Sequence, residues 1–307
     1  MYKISFIILI LFAFSCKKSS ERNVSHGSII HIKPFHSTFV SHRNVDIWLP
    51  DQYSPNEKHQ VLYMHDGHAL FDSTKTWNNQ EWAVDETMSK LLNENKIQKT
   101  IVVGIWNSGL DRQSDYFPQK AFESLPLNTQ DSLLNKVRIS NNTDLYTYDI
   151  NSDNYLKFIV KELKPYIDSA YSTFTDAQHT FIGGSSYGGL ISMYAICEYP
   201  DIFGGAICMS THWTGTFTNH KNPIPESFVN YLDQHIPDPD SHKFYFDYGT
   251  KTIDSLYEPN QLMIDSIMMK NGYHHKNWMT KKYEGAAHNE RAWMNRLEVP
   301  LSFILKK

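Results

Sequence analysis

The pentapeptide Gly184-Ser185-Ser186-Tyr187-Gly188 decides the fold of this chain. An apolar, alternating stretch at 179–182 precedes it, and an apolar stretch at helical spacing, 190–197, follows it. Strand, G-x-S-x-G and helix in this order form the sharp turn that lifts a serine hydroxyl above a sheet edge. The glycines two residues before and after Ser186 stand where larger side chains would collide, so the sequence predicts Ser186, and not Ser185, as a nucleophile.

The rest of the chain alternates strand and helix patterns. We predict strands at 37–40, 44–49, 61–64, 100–105, 205–209, 243–247 and 278–283. We predict further helices at 82–92, 155–170, 228–235, 261–270 and 290–305. This order predicts an α/β fold with a mainly parallel central sheet and helices on both faces. Residues 108–150 are polar and weakly periodic, which is typical of a lid or a binding insertion.

The N-terminal residues predict an exported protein. Residues 4–14 are almost wholly apolar and lie between Lys3 and the segment Ser15-Cys16-Lys17-Lys18. The apolar stretch is short for a membrane span but suits a signal-peptide core. The arrangement resembles a bacterial lipoprotein signal, which implies lipidation of Cys16; plain secretion and a retained anchor are the alternatives.

These features predict three parts: a signal peptide at 1–16, a linker at 17–30 and a catalytic domain at 31–307. The expected location is the cell envelope, at the outer membrane or facing the periplasm, with membrane attachment through the lipidated N-terminus. A net charge of −4 over 307 residues, with scattered Lys and Arg, gives no footprint for nucleic acid. Cys197 and Cys208 lie among apolar neighbours and are expected to be buried free thiols, with a disulfide as the alternative.

A serine nucleophile needs a base and an acid, which in this kind of sheet follow the serine in the order acid, histidine. His288 follows the predicted strand 278–283 and precedes a helix, so we predict it as the base. The competing His274 and His275 lie before that strand, at the wrong end of the sheet. Asp254, in the loop after strand 243–247, is the predicted acid. Glu258 and Asp247 remain alternatives.

Two backbone N–H groups are needed to stabilise the oxyanion. We predict the N–H of Tyr187, which follows the nucleophile, and one from Gly67 or His68 in the loop after strand 61–64. A metal site is the alternative for this loop, built from His65, Asp66, His68 and Asp72. We expect no metal.

A resemblance joins these motifs. Segments 45–50, 63–71, 183–189 and 285–293, together with Gly104-Ile105, Arg112 and Pro118, resemble the esterase D-like branch of the α/β-hydrolases. That branch includes enterochelin, feruloyl and acetylxylan esterases and S-formylglutathione hydrolases. The resemblance covers roughly residues 35–306. The usual D-G-Q of the branch is Asp66-Gly67-His68 here, which leaves the role of His68 open.

The resemblance implies a serine carboxylic-ester hydrolase that needs no cofactor. Its triad would be Ser186, His288 and an acid near Asp254. The substrate would be a small-molecule or carbohydrate ester, such as an acylated sugar or a siderophore. From their positions, we expect Trp106, Arg112 and Trp213 to contact this substrate. An acyltransferase using the same site and a non-catalytic ligand-binding lipoprotein are the alternative functions.

Overall fold

The computed structural model describes residues 24–139, 150–216 and 221–307. The predicted signal peptide and Cys16 lie outside these residues, as do residues 140–149 of the predicted insertion. In the part of the chain that is described, no helix is long and apolar enough to cross a membrane.

Within the described residues, one eight-stranded sheet forms the centre of the molecule. Its strands are β1 (Ser28–Phe35), β2 (Arg43–Leu49), β3 (Gln60–His65), β4 (Thr100–Ile105), β5 (Thr180–Ser185), β6 (Gly205–Met209), β7 (Lys243–Gly249) and β8 (Trp278–Tyr283). Their order across the sheet is β1-β2-β4-β3-β5-β6-β7-β8. The pairs β1/β2 and β2/β4 are antiparallel, and all the others are parallel. The carboxyl ends of β3 to β8 therefore meet along one edge, where sites form in such sheets.

Helices cover both faces of this sheet. They are α1 (Val84–Asn93), α2 (Arg112–Tyr116), α3 (Gln119–Glu123), α4 (Leu127–Ile139), α5 (Ser152–Phe158), α6 (Lys164–Ala170), α7 (Tyr187–Glu198), α8 (Ile224–His235), α9 (Glu258–Lys270), α10 (Glu290–Met294) and α11 (Glu298–Ile304). A π-helical turn, Ile159–Leu163, joins α5 to α6. Alternate strand side chains enter opposite cores. Tyr63 packs with α5 and α7, whereas Leu62 and Met64 pack with α1 and α11.

This arrangement confirms the predicted fold class, a mainly parallel α/β sheet with helices on both faces. The strands at 100–105, 205–209 and 278–283 have the predicted bounds. The strand expected at 37–40 is wrong: the Ser37 Oγ accepts the N–H groups of Phe39 and Val40 and turns the chain there. The edge strand is β1 instead, and it begins at Ser28, ahead of the predicted domain start at 31.

Two further segments differ in detail. The single closing helix expected at 290–305 is two helices, α10 and α11, separated by a turn that carries the buried Arg296. The predicted insertion at 108–150 is helical up to residue 139, and it packs on the domain: α2 contacts α5 and α3 contacts α8. Phe117 and Phe122 of this segment are buried in the core.

Candidate active site

Ser186 lies at a strained turn between β5 and α7. Its backbone has φ 58° and ψ −121°, a conformation that non-glycine residues adopt only where the surrounding structure enforces it. The Ser186 N–H donates to the Met209 carbonyl at 2.9 Å, which ties the turn to β6. A Cβ added to Gly184 would lie 3.0 Å from the Gly188 backbone, so this turn closes only with small residues at both places. The sequence therefore folds locally into the predicted elbow.

The elbow opens into a cavity of about 610 Å³ at the carboxyl edge of the sheet. Ser186 lines this cavity, and so do His288 from the loop after β8, His68 from the loop after β3, and Arg112 from the start of α2. Residues separated by more than two hundred positions are thus brought to one concave surface. Pockets of this size bind small molecules.

His288 is held by a carboxylate. Its Nδ1 lies 2.5 Å from Oδ1 of Asp254, which occupies the turn after β7. The other Asp254 oxygen accepts the Ser210 hydroxyl at 2.6 Å and the Gly249 N–H at 2.7 Å. Burial alone would raise the pKa of Asp254, but the hydrogen bonds from His288, Ser210 and Gly249 outweigh it and lower the pKa below its usual value. The carboxylate is therefore ionised beside the imidazole.

The two alternative acids have other partners. Glu258, at the start of α9, pairs with Lys282 on the surface. Asp247 is buried inside β7 and forms a two-point ion pair with Arg296, at 2.9 and 3.1 Å. Burial raises the pKa of Asp247, and the guanidinium offsets part of that effect. Of the three carboxylates considered, only Asp254 contacts His288. His274 and His275 precede β8, and neither lines the cavity.

Sequence reasoning missed a buried network behind Asp254. The Ser210 hydroxyl that donates to Asp254 accepts Nε1 of Trp293 at 3.0 Å and Nη2 of Arg296 at 2.6 Å. Ser210 also has a left-handed backbone, with φ 41°. The N–H of Ser210 donates to Asp247 at 2.9 Å. Ser210 thus connects Asp254 to the ion pair between Asp247 and Arg296.

The loop after β3 is fixed by an ion pair at its base. Arg112 donates to both oxygens of Asp66, at 2.8 and 2.6 Å, and the Asn107 amide donates to Asp66 at 2.7 Å. Burial alone would raise the pKa of Asp66, but Arg112 outweighs it and holds the pKa well below the usual value. Asp66 itself is left-handed, with φ 56°, and it begins the short helical turn Gly67–Ala69.

This turn lies beside the elbow, because β3 and β5 are neighbours in the sheet. A Cβ on Gly67 would lie 2.5 Å from the Gly104 backbone, so glycine is required for this close approach. Tyr187 is the first residue of α7, where backbone N–H groups lack partners within the helix. The structure therefore brings the N–H groups of Tyr187 and of the Gly67–His68 turn to adjacent strand ends.

The three residues expected to contact the substrate lie in different surroundings. Arg112 lines the cavity, although its guanidinium is committed to Asp66. Trp106 donates Nε1 to Asp46 at 2.7 Å, and its ring lies 5.9 Å from that of His68. The expected contact of Trp213 with the substrate is wrong: this side chain is 1% exposed, does not line the cavity and donates to Gln261 within the core. The tryptophans that do line the cavity are Trp77, Trp82 and Trp293, which the sequence did not single out.

The alternative metal site in the β3 loop is not assembled. His65 bonds the Tyr155 hydroxyl, Asp66 is held by Arg112, and Asp72 caps the turn at Thr74. In the described ranges, no three His, Cys, Asp or Glu side chains are grouped to hold a metal. Cys197 and Cys208 are both buried and free.

Comparison with known proteins places this geometry in a family. A family model described as "Putative esterase" matches residues 37–133 and 142–301, which is most of the chain. The chain belongs to this esterase family. The match confirms the resemblance expected from the sequence, and family membership supports ester hydrolysis.

Solved structures show that this esterase family member shares its fold with known hydrolases. A ferulic acid esterase aligns with a TM-score of 0.61 and 18% identity, covering 91% of this chain and 98% of that one. An IroE-like serine hydrolase from Shewanella oneidensis aligns with a TM-score of 0.62 and 20% identity, covering 90% of this chain and 79% of that one. The enterobactin esterase FES from Shigella flexneri aligns with a TM-score of 0.63 and 13% identity, covering 92% of this chain and 60% of that one. These similarities concern the fold.

Curated sequence relatives of this esterase align over only part of the chain. Protein YjcH of Bacillus subtilis strain 168 is 22% identical over 188 residues, or 61% of this chain. Protein YbbA of the same strain is 25% identical over 167 residues, or 54% of this chain. Both are described as uncharacterized. The alignments span 63% and 55% of those relatives, respectively.

Proposed function

We propose that the protein is a serine carboxylic-ester hydrolase that acts through an acyl-enzyme. One observation carries this proposal: Ser186 stands on a strained elbow and lines the same cavity as His288, whose Nδ1 is 2.5 Å from the buried carboxylate of Asp254. An imidazole oriented by an ionised carboxylate has the arrangement of a general base. Family membership supports the ester as the bond that is cleaved.

In the proposed reaction, Ser186 Oγ attacks the ester carbonyl while His288 takes the hydroxyl proton. The negative charge on the former carbonyl oxygen is met by the N–H of Tyr187 and one N–H of the Gly67–His68 turn. Collapse of this intermediate breaks the ester bond, and His288 returns the proton to the departing alcohol. Water, deprotonated by His288, then attacks the acyl-serine, releasing the acid and restoring Ser186. Asp254 holds the imidazole and stabilises its cationic form without taking the proton.

The test replaces Ser186. Ser186→Ala should lower kcat with p-nitrophenyl acetate by about 10⁴- to 10⁶-fold, because triad members act as a unit. Ser185→Ala is the matched control, since this neighbour is also buried and lines the same cavity; its turnover should stay within about tenfold of the parent. A fluorophosphonate should label Ser186. Unchanged turnover of Ser186→Ala, or labelling of Ser185, would remove Ser186 from the mechanism.

We also propose that this chemistry takes place outside the cytoplasm, on a protein anchored through Cys16. The apolar stretch 4–14 followed by Ser15-Cys16 supports this. Expression with radiolabelled palmitate should label the parent protein in the membrane fraction, whereas Cys16→Ser should be unlabelled. Recovery of unlabelled parent protein in the cytosolic fraction would contradict the anchor.

A further inference from the structure

Trp77 is an exposed aromatic side chain on the wall of the cavity. It is 87% exposed, the highest value among the large hydrophobic residues of the described chain, and it lines the same cavity as Ser186. An indole that remains in water beside a concave site contributes little to folding. Tryptophan supplies a large, rigid contact area where a ligand covers it, and such residues dominate many binding sites.

The segment that carries Trp77 is held in place by hydrogen bonds on both sides. Before Trp77, the Thr76 hydroxyl accepts the Gln80 N–H at 3.0 Å. After it, the Asn78 amide donates to Glu290 at 2.8 Å. The Gln80 side-chain oxygen accepts the Arg291 N–H at 3.3 Å. The segment is thus attached to the first turn of α10, so the indole is presented on a prebuilt surface.

Trp77 shares the cavity wall with polar side chains. Asn78, Gln80, Asn289 and Glu290 all line the cavity with Trp77. Within the described residues, Gln80 uses its side-chain oxygen and Glu290 uses Oε2 for protein contacts, which leaves the Gln80 Nε2 donor and the Glu290 Oε1 acceptor without a protein partner. A flat aromatic face beside both a donor and an acceptor suits a ring that is apolar on its face and carries hydroxyls at its edge.

The position of these groups relative to His288 indicates which half of an ester they would meet. Asn289 and Glu290 directly follow His288 in the chain. In the proposed function, on which this inference rests, His288 gives its proton to the departing alcohol, so the alcohol lies on the His288 side of Ser186. The segment that carries Trp77 lies on that same side of the cavity, because Asn78 bonds Glu290 and Gln80 bonds Arg291.

We propose that Trp77, with Gln80 and Glu290, forms a subsite for a neutral sugar ring that supplies the alcohol of the ester. The sugar stacks on the indole, and its hydroxyls bond the Gln80 amide and the Glu290 carboxylate. The substrate class is therefore an acylated carbohydrate, and Trp77 determines specificity without taking part in bond cleavage.

The kinetic test compares esters that share an acetyl group and differ in the alcohol. Trp77→Ala should raise KM for an acetylated methyl xyloside by about tenfold with kcat retained, because lost ground-state binding changes KM alone. Ethyl acetate, which has no ring, should be hydrolysed at the parent rate. Trp77→Phe should restore part of the affinity. Leu262→Ala, another exposed apolar position that does not line the cavity, is the control and should change neither constant.

Two further esters locate the subsite. Phenyl acetate places a planar aromatic ring in the alcohol, and methyl ferulate places one in the acid. If Trp77→Ala impairs phenyl acetate but not the xyloside, the surface binds aromatic alcohols and the sugar proposal is wrong. If methyl ferulate alone is impaired, the surface belongs to the acid side and the proposal is also wrong. Equal effects on ethyl acetate would show a general defect and overturn it as well.

A binding measurement separates this inference from the proposed reaction. In protein carrying Ser186→Ala, methyl xyloside should shift the tryptophan fluorescence, and adding Trp77→Ala should abolish the shift. This result requires no turnover, so it supports the subsite even if Ser186 is not the nucleophile. An absence of sugar binding to the Ser186→Ala protein, together with unchanged kinetics of Trp77→Ala, would overturn the subsite while leaving the hydrolase intact.

Discussion

Three histidines near the elbow make the same kind of hydrogen bond but differ in its partner. His288 bonds the carboxylate of Asp254 through Nδ1, at 2.5 Å. His65 and His212 bond the hydroxyls of Tyr155 and Tyr257 through Nδ1, at 2.8 and 2.6 Å. The last two are 1% exposed, whereas the His288 side chain is 17% exposed and lines the cavity.

The partner decides what each ring can do. Burial lowers the pKa of His65 to about 3, and burial together with the nearby His288 does the same for His212. A phenol offers no charge to balance an imidazolium, so these two rings stay neutral and serve packing. The ionised carboxylate beside His288 stabilises a positive ring, which a general base needs at the moment it takes a proton. The sequence predicted a carboxylate partner for His288 but not the tyrosine partners of the other two rings.

Among the changes that test the comparison of the three histidines, the largest expected effect comes from neutralising Asp254, the partner of His288. Asp254→Asn should lower kcat by about 10³- to 10⁴-fold, because the amide neither balances the imidazolium nor holds the correct tautomer. Steady-state rates with p-nitrophenyl acetate measure this loss.

Asp247→Asn is the matched control, since it makes the same change in a buried carboxylate paired with Arg296 instead of histidine. It should lower the free energy of unfolding by about 3–5 kcal/mol, because a buried guanidinium loses its charge partner. The remaining folded protein should keep its turnover within about tenfold. Equal loss of turnover in both variants would show that the effect of Asp254→Asn does not depend on its contact with His288.

The pH dependence of stability tests the neutral histidines. Because the pKa of His65 is about 3 in the folded protein and near 6.5 in the unfolded chain, only the unfolded chain binds this proton between those values. Stability from His65 is thus complete above about pH 6.5 and declines as the pH falls, by about 1.4 kcal/mol per pH unit.

His65→Gln should remove that slope, a difference of about 2.7 kcal/mol over two pH units when urea unfolding is followed from about pH 6 to about pH 4. The exposed His275→Gln should retain the parent slope. If His65→Gln and the parent have parallel curves, His65 is protonated in the folded protein and the contrast with His288 fails.

The smallest expected effect comes from removing a phenol. Tyr155→Phe should lower the free energy of unfolding by about 1–2 kcal/mol, because a buried Nδ1 of His65 loses its hydrogen-bond partner. Turnover should be unchanged, since this pair lies outside the cavity lining. Tyr166→Phe, at an exposed tyrosine, controls for loss of a hydroxyl. A large fall in kcat for Tyr155→Phe would mean that the His65 pair supports the reaction.

Local patterns predicted the elements that position the site. The glycines around Ser186 and the β-branched strand at 100–105 carry their own geometry, so the sequence was enough. The edge strand β1 was missed because Lys33 and Pro34 interrupt its alternation. Edge strands tolerate such interruptions because one side needs no partner strand.

Contacts between distant side chains were beyond the sequence. Trp213 was expected to contact the substrate, but it packs against Phe246 of β7 and donates to Gln261 of α9. Trp77 has no apolar periodicity and no motif, so only its exposure beside the cavity draws attention to it. Nothing in the sequence distinguishes Arg296 from other basic residues of the closing helix. Its pairing with Asp247 follows only from the fold.

The hydroxyl of Ser210 has a consequence for anyone engineering this protein. It donates to Asp254 and accepts from Trp293 and Arg296, so it belongs at once to the His288 partner and to the neighbouring ion pair. Replacing Ser210 will therefore disturb the His288 partner and the ion pair together. A search for heat-resistant variants should favour the far side of the domain, at β1 and its loops, where gains in robustness would leave catalytic power untouched.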